Sequence, residues 1–454
     1  MLAIVESRAD RASSHICSHL LEIADWEQLE DDTRPDEEGG GTYYRLEGVE
    51  LRSFETRHLD LERPADAFSR EPNLLVFASR HAGNTDRLLT AHCTGNFGPA
   101  EYGGDDHAVA AACPNALESI LEAFDRHAPE SYDTGLECTH HGPTDVGCPS
   151  LFAEVGSSAD QWDDPDAARA VARAILDLRG RAAHGPRQLV GFGGNHYVPR
   201  FERITRETAW NVGHVAADWA LEELGDPRSY RDVIEAAFRE SRADHAVLDG
   251  EWEGREVLER VLDDMGYRVV SETWVRTVGD RPRSLVECVE SRLGAVDDGV
   301  RFGAVRTPQL AVVELPNDVL DTAEGIDPDA VWNLIAARTV GFETRNGGSR
   351  VGRRVALPDD GDGGSDAATQ IVSGLIDILG QRYETVVHEG DAIVGTETAF
   401  DPALALEAGV PEGPAFGRLA GGQSVTVDGE EITPEDVCEK RTTRYELDTP
   451  FTRE

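Results

Sequence analysis

The feature that most constrains the fold of this 454-residue chain is the alternation of short apolar runs with amphipathic stretches. Runs with the length of buried strands occupy residues 2–5, 74–78, 188–192, 246–248 and 267–271. Apolar side chains recur at helical spacing over residues 13–23, 115–127, 163–179, 208–224, 253–265 and 367–379. Strands that alternate with helices form mostly parallel sheets covered by helices on both faces. We therefore predict an α/β fold of this kind.

The pattern changes near residue 279, and we predict two domains, 1–278 and 279–454, the second being a smaller α+β unit. In this second part, residues 281–299 carry few helix signals and residues 359–365 have the composition of a flexible linker. Residues 409–419 are rich in turn residues, and a hairpin is expected around Asp428 and Gly429. In the first part, the acidic residues 27–42 end in three glycines and indicate a surface insertion.

The charge balance indicates the solvent in which the protein works. The chain has 86 acidic and 43 basic residues, a formal charge of −43, and Lys440 is its only lysine. A carboxylate-rich surface almost without lysine is typical of proteins in concentrated salt, where charges are screened within ~3 Å at 1 M. We interpret the acidity as an adaptation to salt, so it does not exclude nucleic acid as a partner.

The cysteines and the apolar runs indicate a cytoplasmic protein. The seven cysteines are odd in number and contain no Cys-x-x-Cys pair, which is typical of a reducing compartment. No apolar run approaches the ~20 residues that cross a bilayer, and the N-terminus is predicted to form a first strand rather than a signal peptide.

Two histidine-containing loops carry the strongest functional signal. His140 and His141 are followed by Gly-Pro-Thr, and His196 follows a Gly-Gly-Asn turn. His81 and His196 both come just after predicted strands, where ligands of parallel sheets bind. Neutral imidazole binds metals, and its pKa near ~6.5 suits proton transfer. We expect a composite site; the alternative is that these histidines cap turns or pack beneath the loops.

Other polar residues could contact a substrate. Asn84 and Asn96 each neighbour a glycine, so that amide and backbone N–H groups could hold a carbonyl or phosphate; the alternative is ordinary turn chemistry. The glycines at 191, 193 and 194 are a weak signal for a phosphate-binding loop. The arginines that recur at 200, 203 and 206 could grip phosphates, or they could pair with glutamates 202 and 207 on the surface.

Cysteine could also contribute to a metal site. His92 and Cys93, together with Cys138 or Cys148, would supply the ligands of a tetrahedral centre. The alternative is that each cysteine is a small buried hydrophobe. The sequence contains no Gly-x-Ser-x-Gly, His-Glu-x-x-His or kinase motif, so a serine nucleophile is not indicated.

Taken together, these motifs resemble the archaeal and plant type of D-aminoacyl-tRNA deacylase. The resemblance rests on segments in the expected order, at residues 79–81, 91–96, 137–144, 149–157, 191–201 and 213–214. The composition is similar to that of a haloarchaeal member with a C-terminal extension. Two positions depart from the family pattern, since Cys138 replaces a small residue and Asn195 a glycine. Residues 409–419 are similar to a segment of the tRNA 3′-processing ribonuclease Z family.

The resemblance implies an enzyme that hydrolyses the ester between a D-amino acid and the 3′ end of tRNA, with two zinc ions per subunit. It also implies a core similar to peptidyl-tRNA hydrolase and phosphorylase folds. We expect the partner to be the CCA end of D-aminoacyl-tRNA, with no membrane and a monomer, an oligomer being the alternative. The alternative functions are a nucleoside phosphorylase, a metal-dependent amidohydrolase or a non-catalytic RNA-binding protein.

The expected site residues fall into three groups. Metal ligands are expected at His81, His140, His141 and His196. Catalytic roles are expected for His140, His141, His196 and Asn84. Substrate contacts are expected from Arg80, Thr94, Asn96, Gly193, Gly194 and Arg200.

Overall fold

A computed structural model describes residues 1–359, 361 and 365–447. The chain divides into two compact units, Met1–Gly279 and Asp280–Glu454. The linker predicted at residues 359–365 lies largely outside the described residues. In the part of the chain that is described, no helix combines the length and the apolar character needed to cross a membrane.

The strands of the first unit are β1 (Leu2–Ser7), β2 (Glu27–Asp31), β3 (Gly41–Leu46), β4 (Val49–Phe54), β5 (Leu74–Arg80), β6 (Leu88–His92), β7 (Gly95–Asn96), β8 (Ala108–Val109), β9 (Asp133–Leu136), β10 (Ser150–Gly156), β11 (Gln188–Gly193), β12 (Asn211–Ala216), β13 (His245–Asp249) and β14 (Arg268–Val269). Its helices are α1 (Arg11–Ile23), α2 (Pro114–His127), α3 (Ala159–Trp162), α4 (Pro165–Asp177), α5 (Pro199–Glu207), α6 (Asp218–Leu224), α7 (Arg231–Ser241), α8 (Arg255–Asp264) and α9 (Glu272–Val278). Short 3₁₀ helices occupy His58–Asp60 and Pro64–Ala67.

These strands form two main sheets where the sequence suggested one. Within this fully described unit, the larger sheet has the order β2-β3-β4-β1-β5-β10-β6-β9, and the smaller has the order β12-β11-β13-β14. The smaller sheet is parallel throughout. In the larger sheet, β4, β1, β5 and β10 run parallel, as do β6 and β9. The predicted α/β class with mostly parallel sheets is confirmed.

The central strands of the larger sheet are buried on both faces. Every residue of β10 is buried, as are all but the last of β5, so that both strands are covered from two sides. Helices α1, α2 and α4 pack together over β5, β6 and β10. Helix α4 begins at Pro165 after Asp164, whose carboxylate accepts the N–H groups of Asp166 and Ala167.

Two predicted segments of the first unit differ in the structure. Most of residues 27–42 lie at the surface as predicted, but they form part of the larger sheet, because β2 pairs with β3. Residues 208–224 are not one helix, because residues 211–216 form β12 and only residues 218–224 are helical. Every side chain of β12 is buried, so tertiary burial between β11 and the surrounding helices overrides the helical spacing of the apolar residues.

The second unit is a mixture of antiparallel sheets and helices. Its strands are β15 (Arg301–Phe302), β16 (Leu310–Glu314), β17 (Gly341–Arg345), β18 (Arg350–Pro358), β19 (Thr385–Glu389), β20 (Ala392–Phe400), β21 (Val425–Val427), β22 (Glu430–Ile432) and β23 (Cys438–Glu446). Its helices are α10 (Arg283–Leu293), α11 (Asn317–Ile326), α12 (Pro328–Arg338), α13 (Ser365–Leu379), α14 (Pro402–Glu407) and α15 (Pro414–Ala420), with 3₁₀ helices at Val296–Asp298 and Pro434–Val437. Its core joins α11, α12 and α13 to β18.

This composition agrees with the predicted α+β unit, and the hairpin around residue 428 is present between β21 and β22. Two local predictions fail. Residues 283–293 form α10, which buries Leu285, Val286, Val289 and Leu293 along one face. Residues 414–420, predicted as loop, form α15, because Pro414 is tolerated in a first helical turn where its missing N–H is not needed.

A buried histidine makes the first unit sensitive to acid. Nε2 of His214 lies 2.8 Å from the carbonyl oxygen of Ala110, and Nδ1 lies 3.0 Å from the Thr139 hydroxyl, which accepts the N–H of Val215. The ring is neutral in this network, with Nε2–H donating and Nδ1 accepting. Burial lowers the pKa of His214 from 6.5 to about 4.

We therefore expect stability to fall as pH drops below 6.5, because the unfolded chain then binds a proton that the folded chain does not take up until pH 4. The loss from this one residue at pH 5 is about 2 kcal/mol. Guanidinium unfolding of the wild type and of His214→Gln at pH 7 and pH 5, in molar salt, measures it. Equal losses in the two proteins would contradict the assignment.

Candidate metal centre

Five strands from the two sheets of the first unit deliver side chains to one buried cluster. His81 follows β5, His92 ends β6, Glu137 follows β9, Glu154 lies inside β10, and His196 follows β11. The strands converge here because β5, β10, β6 and β9 are neighbours in the larger sheet. The N–H of Cys138 also donates to the carbonyl of His196 at 2.9 Å, which joins the β9 and β11 loops.

Glu137 is the centre of this cluster. One carboxylate oxygen lies 3.0 Å from Nδ1 of His81. The other lies 3.1 Å from Nε2 of His196 and 3.6 Å from Nε2 of His140. The Glu137 side chain has no exposed surface, so its oxygens are stabilised by contact with these imidazoles rather than by water.

A second carboxylate lies beside the first. Glu154 Oε2 is 3.8 Å from Nε2 of His92 and 3.8 Å from Nδ1 of His81. Both separations exceed a hydrogen bond, and within the described residues the buried Nε2 of His92 has no hydrogen-bond partner. Since a buried polar atom is costly when unsatisfied, this nitrogen points to a ligand.

Three histidines are held in a tautomer that leaves Nε2 available to a metal. Nδ1 of His92, His140 and His141 donates to the backbone carbonyls of Cys93, Cys138 and Gly142, at 3.1, 2.9 and 2.7 Å. A carbonyl only accepts, so each Nδ1 carries the proton and each Nε2 presents a lone pair. Metal-binding histidines are typically oriented by such a bond from the other ring nitrogen.

The cluster contains four overlapping groups of donor atoms that lie within 4.8 Å of one another. These groups are His92–His140–His141, Cys138–His140–His196, His81–Glu137–His196 and His92–Glu137–Glu154. Two donors on one zinc ion, each ~2.0–2.2 Å from it, are about 3.3–3.6 Å apart. The nitrogen–oxygen separations around Glu137 and Glu154, from 3.0 to 3.8 Å, are close to this spacing, so these residues could hold a divalent transition metal.

The protonation states agree with this chemistry. Burial, reinforced by the neighbouring His92, lowers the pKa of His141 to about 3 and holds that of His140 well below its usual range. Burial opposes the ionisation of Glu137, but its contacts with His196 and His81 hold the pKa of this carboxyl well below its usual range. At neutral pH His140 and His141 are therefore neutral and Glu137 is ionised. Burial opposes the protonation of His81 and His92, but the neighbouring carboxylates of Glu137 and Glu154 raise the pKa of these two imidazoles.

The loop that carries the histidine pair is fixed by its backbone. The N–H of Gly95 donates to the carbonyl of His141, and the N–H of Gly142 donates to that of Tyr102. His141 has a φ of +43°, a left-handed conformation that non-glycine residues adopt at a cost. A Cβ at Gly142 would lie 2.4 Å from the backbone at Gly103, so this position accepts only glycine.

The structure brings together His81, His140, His141 and His196, the expected metal ligands. The rings of His140 and His141 are 4.4 Å apart and those of His140 and His196 are 4.8 Å apart. Their functional roles remain predictions. Of the cysteines considered as ligands, Cys138 lies in one of the donor groups described above.

The expected substrate contacts are more dispersed. Asn84 lies in the exposed loop after His81. The hydroxyl of Thr94 donates to the carbonyl of Pro143, and the amide of Asn96 donates to the carbonyls of Gly103 and Asp105. Thr94 and Asn96 therefore bind the loops that surround the cluster.

The expected phosphate-binding groups have partners within the protein. The guanidinium of Arg80 stacks over Trp162, and that of Arg200 lies 3.3 Å from Asp249. Arg203 pairs with Glu272, and Arg206 with Asp125 and Glu202. The N–H of Gly194 donates to Asp218, and a Cβ at Gly193 would lie 2.0 Å from the carbonyl oxygen of Asp249.

Sequence reasoning missed the carboxylates and one aromatic residue of the cluster. The sequence analysis assigns no role to Glu137 or Glu154. Glu154 is nevertheless the one charged residue in a strand of apolar and small residues, and that contrast could have indicated a function. His92 was considered only together with cysteines. Tyr197, whose hydroxyl lies 3.2 Å from Nε2 of His81, gave no signal in the sequence beyond its neighbour His196.

We expect the purified protein to retain a divalent transition metal, measured by elemental analysis after gel filtration. His92→Ala and Glu137→Gln remove donors from several groups at once, and they should lose most of this metal. His127→Ala removes a histidine that pairs with Asp177 away from the cluster, and this variant should retain the metal. Equal metal content in all four proteins would contradict the centre.

Comparison with known proteins identifies the family. A model of the D-aminoacyl-tRNA deacylase family matches residues 68–270. The D-aminoacyl-tRNA deacylase of Halorubrum lacusprofundi is 51% identical over an alignment that covers 99% of this chain and 97% of that protein. The protein of the same name from Natronomonas pharaonis is 50% identical, covering 98% and 100%. That of Methanoregula boonei is 32% identical, covering 98% of each.

A solved structure also matches, that of a conserved protein of unknown function, AF0625. It is 26% identical, covers 61% of this chain and 96% of its own, and has a TM-score of 0.54. The alignments with the named relatives extend over both units, so the C-terminal unit is shared with them. On this similarity along nearly its whole length, the chain belongs to the D-aminoacyl-tRNA deacylase family.

Proposed function

We propose that this protein hydrolyses the ester bond of D-aminoacyl-tRNA, releasing a free D-amino acid and tRNA, and so recycles tRNA that carries the wrong enantiomer. The observation that supports this most is the buried cluster around Glu137, in a chain whose relatives carry the name of that activity. Family membership favours this reaction over a nucleoside phosphorylase, an amidohydrolase or a non-catalytic RNA-binding protein.

We further propose that the cluster binds zinc, with two ions per subunit as the family resemblance implies. The residues that would hold it are His81, His92, Glu137, His140, His141 and Glu154, while His196, also expected as a ligand, is left free to take a proton. Bound there, zinc would polarise the ester carbonyl and lower the pKa of a water molecule. The donor set supports zinc because imidazole and carboxylate are among its preferred ligands.

The protein groups would move the proton. His196 has 32% of its side chain accessible, against 7% for His81 and 17% for His140, and Glu137 holds its Nε2. In this proposal Nδ1 of His196 accepts a proton from the attacking water and returns it to the ribose oxygen as the carbon–oxygen bond breaks. The carboxylate of Glu137 stabilises the imidazolium that forms in between.

The oxyanion needs a hydrogen-bond donor. We assign this role to the Tyr197 hydroxyl, which lies at the cluster, with Asn84 as a second donor. The N–H of Gly194 is a weaker candidate because it already donates to Asp218. Arg200, Thr94 and Asn96 would act mainly by holding the loops that surround the substrate, and the first unit would carry the catalytic site.

We expect His140→Ala, His141→Ala and His196→Ala each to lower the rate of D-tyrosyl-tRNA hydrolysis at least ~100-fold, about 2.7 kcal/mol. The reason is that each change removes a metal ligand or the proton acceptor. Release of labelled D-tyrosine in molar KCl, with and without a chelator, measures the rate. His127→Ala is the control, and L-tyrosyl-tRNA should be hydrolysed far more slowly. Near-normal rates in all three variants would refute the proposal.

We also expect tRNA affinity to depend weakly on salt. The protein carries a charge of −43, and Arg200, Arg203 and Arg206 pair with carboxylates. Few counterions are then released on binding, so affinity should fall less than ~10-fold between 1 and 3 M KCl. Filter binding across this range provides the measurement, and a steeper fall would indicate extensive phosphate contacts.

A further inference from the structure

A cavity of about 210 Å³ opens beside the metal centre and has no role so far. His140 and His141 form part of its lining, so it is continuous with the cluster. Its other walls are the segment between β7 and β8, which includes Phe97 and Tyr102, and helix α6, which includes Trp219. The volume is below the ~300–1,000 Å³ of pockets for drug-sized ligands, so it suits a part of a substrate the size of an amino acid.

The cavity walls are held in place. Tyr102 is tied to the histidine loop by the hydrogen bond from Gly142. The Trp219 side chain contacts the thiol of Cys138, next to Glu137. At Gly98 the chain lies so close to α6 that a Cβ would be 2.5 Å from Cβ of Glu223. The cavity is therefore a built feature of the fold rather than a gap between mobile side chains.

Aromatic side chains are exposed at this cavity. Tyr102 is 66% and Trp219 38% exposed, although such side chains bury a large apolar area when they have the opportunity. Exposed aromatic groups around a concave surface are typical of binding sites. The lining thus offers a ligand apolar and aromatic contact.

The cavity also carries negative charge. Glu101 and Glu223 both line it. Burial, together with the like charge of Glu101, raises the pKa of Glu223. A cationic group placed there would relieve this repulsion.

We infer that the cavity binds the aminoacyl part of the substrate, with its α-ammonium group between Glu101 and Glu223 and its side chain against Trp219. This inference rests on the proposed function, which places the ester carbonyl at the histidines. The aminoacyl group joins a cation to an apolar or aromatic side chain, and it matches the lining in both respects.

Charge excludes the other half of the substrate from this cavity. The 3′ end of tRNA carries phosphates, which the carboxylates of Glu101 and Glu223 in the cavity wall would repel. The carbonyl and the ammonium then fix two points of the amino acid. The two enantiomers differ in where they direct the side chain from those points, so the cavity wall at Trp219 is where they would be distinguished.

Binding of D-tyrosinamide tests the inference without catalysis. This probe keeps the ammonium and the side chain but has no ester, and N-acetyl-D-tyrosinamide is its uncharged counterpart. Calorimetric titration in 1 M KCl should show that the wild type binds D-tyrosinamide at least ~10-fold more tightly than the acetylated probe. Glu223→Gln should remove this preference. Glu222→Gln changes the neighbouring glutamate of α6, which does not line the cavity. This variant should retain the preference for D-tyrosinamide.

Equal affinity of the wild type for the two probes, or no binding of either, would overturn the inference, as would a preference that survives in both Glu223→Gln and Glu101→Gln. Trp219→Ala should lower the affinity for both probes by a similar factor, since it removes contact with the tyrosine side chain of the probe and not with the ammonium. Failure of the wild type to hydrolyse D-tyrosyl-tRNA would instead refute the proposed function, because the probes contain no ester and report on the cavity alone.

Discussion

The structure of the site depends on one buried carboxylate. Glu137 contacts His81, His140 and His196, which come from three different segments of the first unit. Without these imidazoles an ionised carboxylate in this position would be prohibitively costly, and without the carboxylate the imidazoles would lack a common partner. The loops after β5, β9 and β11 are therefore held together by the same group that shapes the candidate metal centre.

Backbone hydrogen bonds also hold this centre in place. The histidine loop bonds to Gly95 in β7 and to Tyr102 in the segment between β7 and β8, and Thr139 bonds to His214 in β12. The larger and the smaller sheet thus meet at residues 137–142. A cavity with aromatic walls opens at the same place. The candidate metal ligands and the proposed amino-acid site are therefore held by the same backbone segments.

The charge of the protein fits this arrangement. Arginines 200, 203 and 206 look like a phosphate-binding row in the sequence, but in the fold they pair with carboxylates of α9, β13 and neighbouring elements. A chain of net charge −43 has a carboxylate near almost any arginine. In the proposed function, recognition of the RNA end would then depend on local shape and on the aminoacyl group rather than on a basic surface.

The sequence by itself determined the α/β class, five of the strands and four of the helices of the first unit, and the four histidines that the fold brings together. These follow from local periodicity and from rare residue types in glycine-rich loops. Only the tertiary structure decided that residues 211–216 are a strand, that two sheets form instead of one, and that Glu137, Glu154 and His92 complete the cluster. The physical reason is that burial and charge compensation join residues far apart in the chain, and no local pattern records which distant side chain will become the partner.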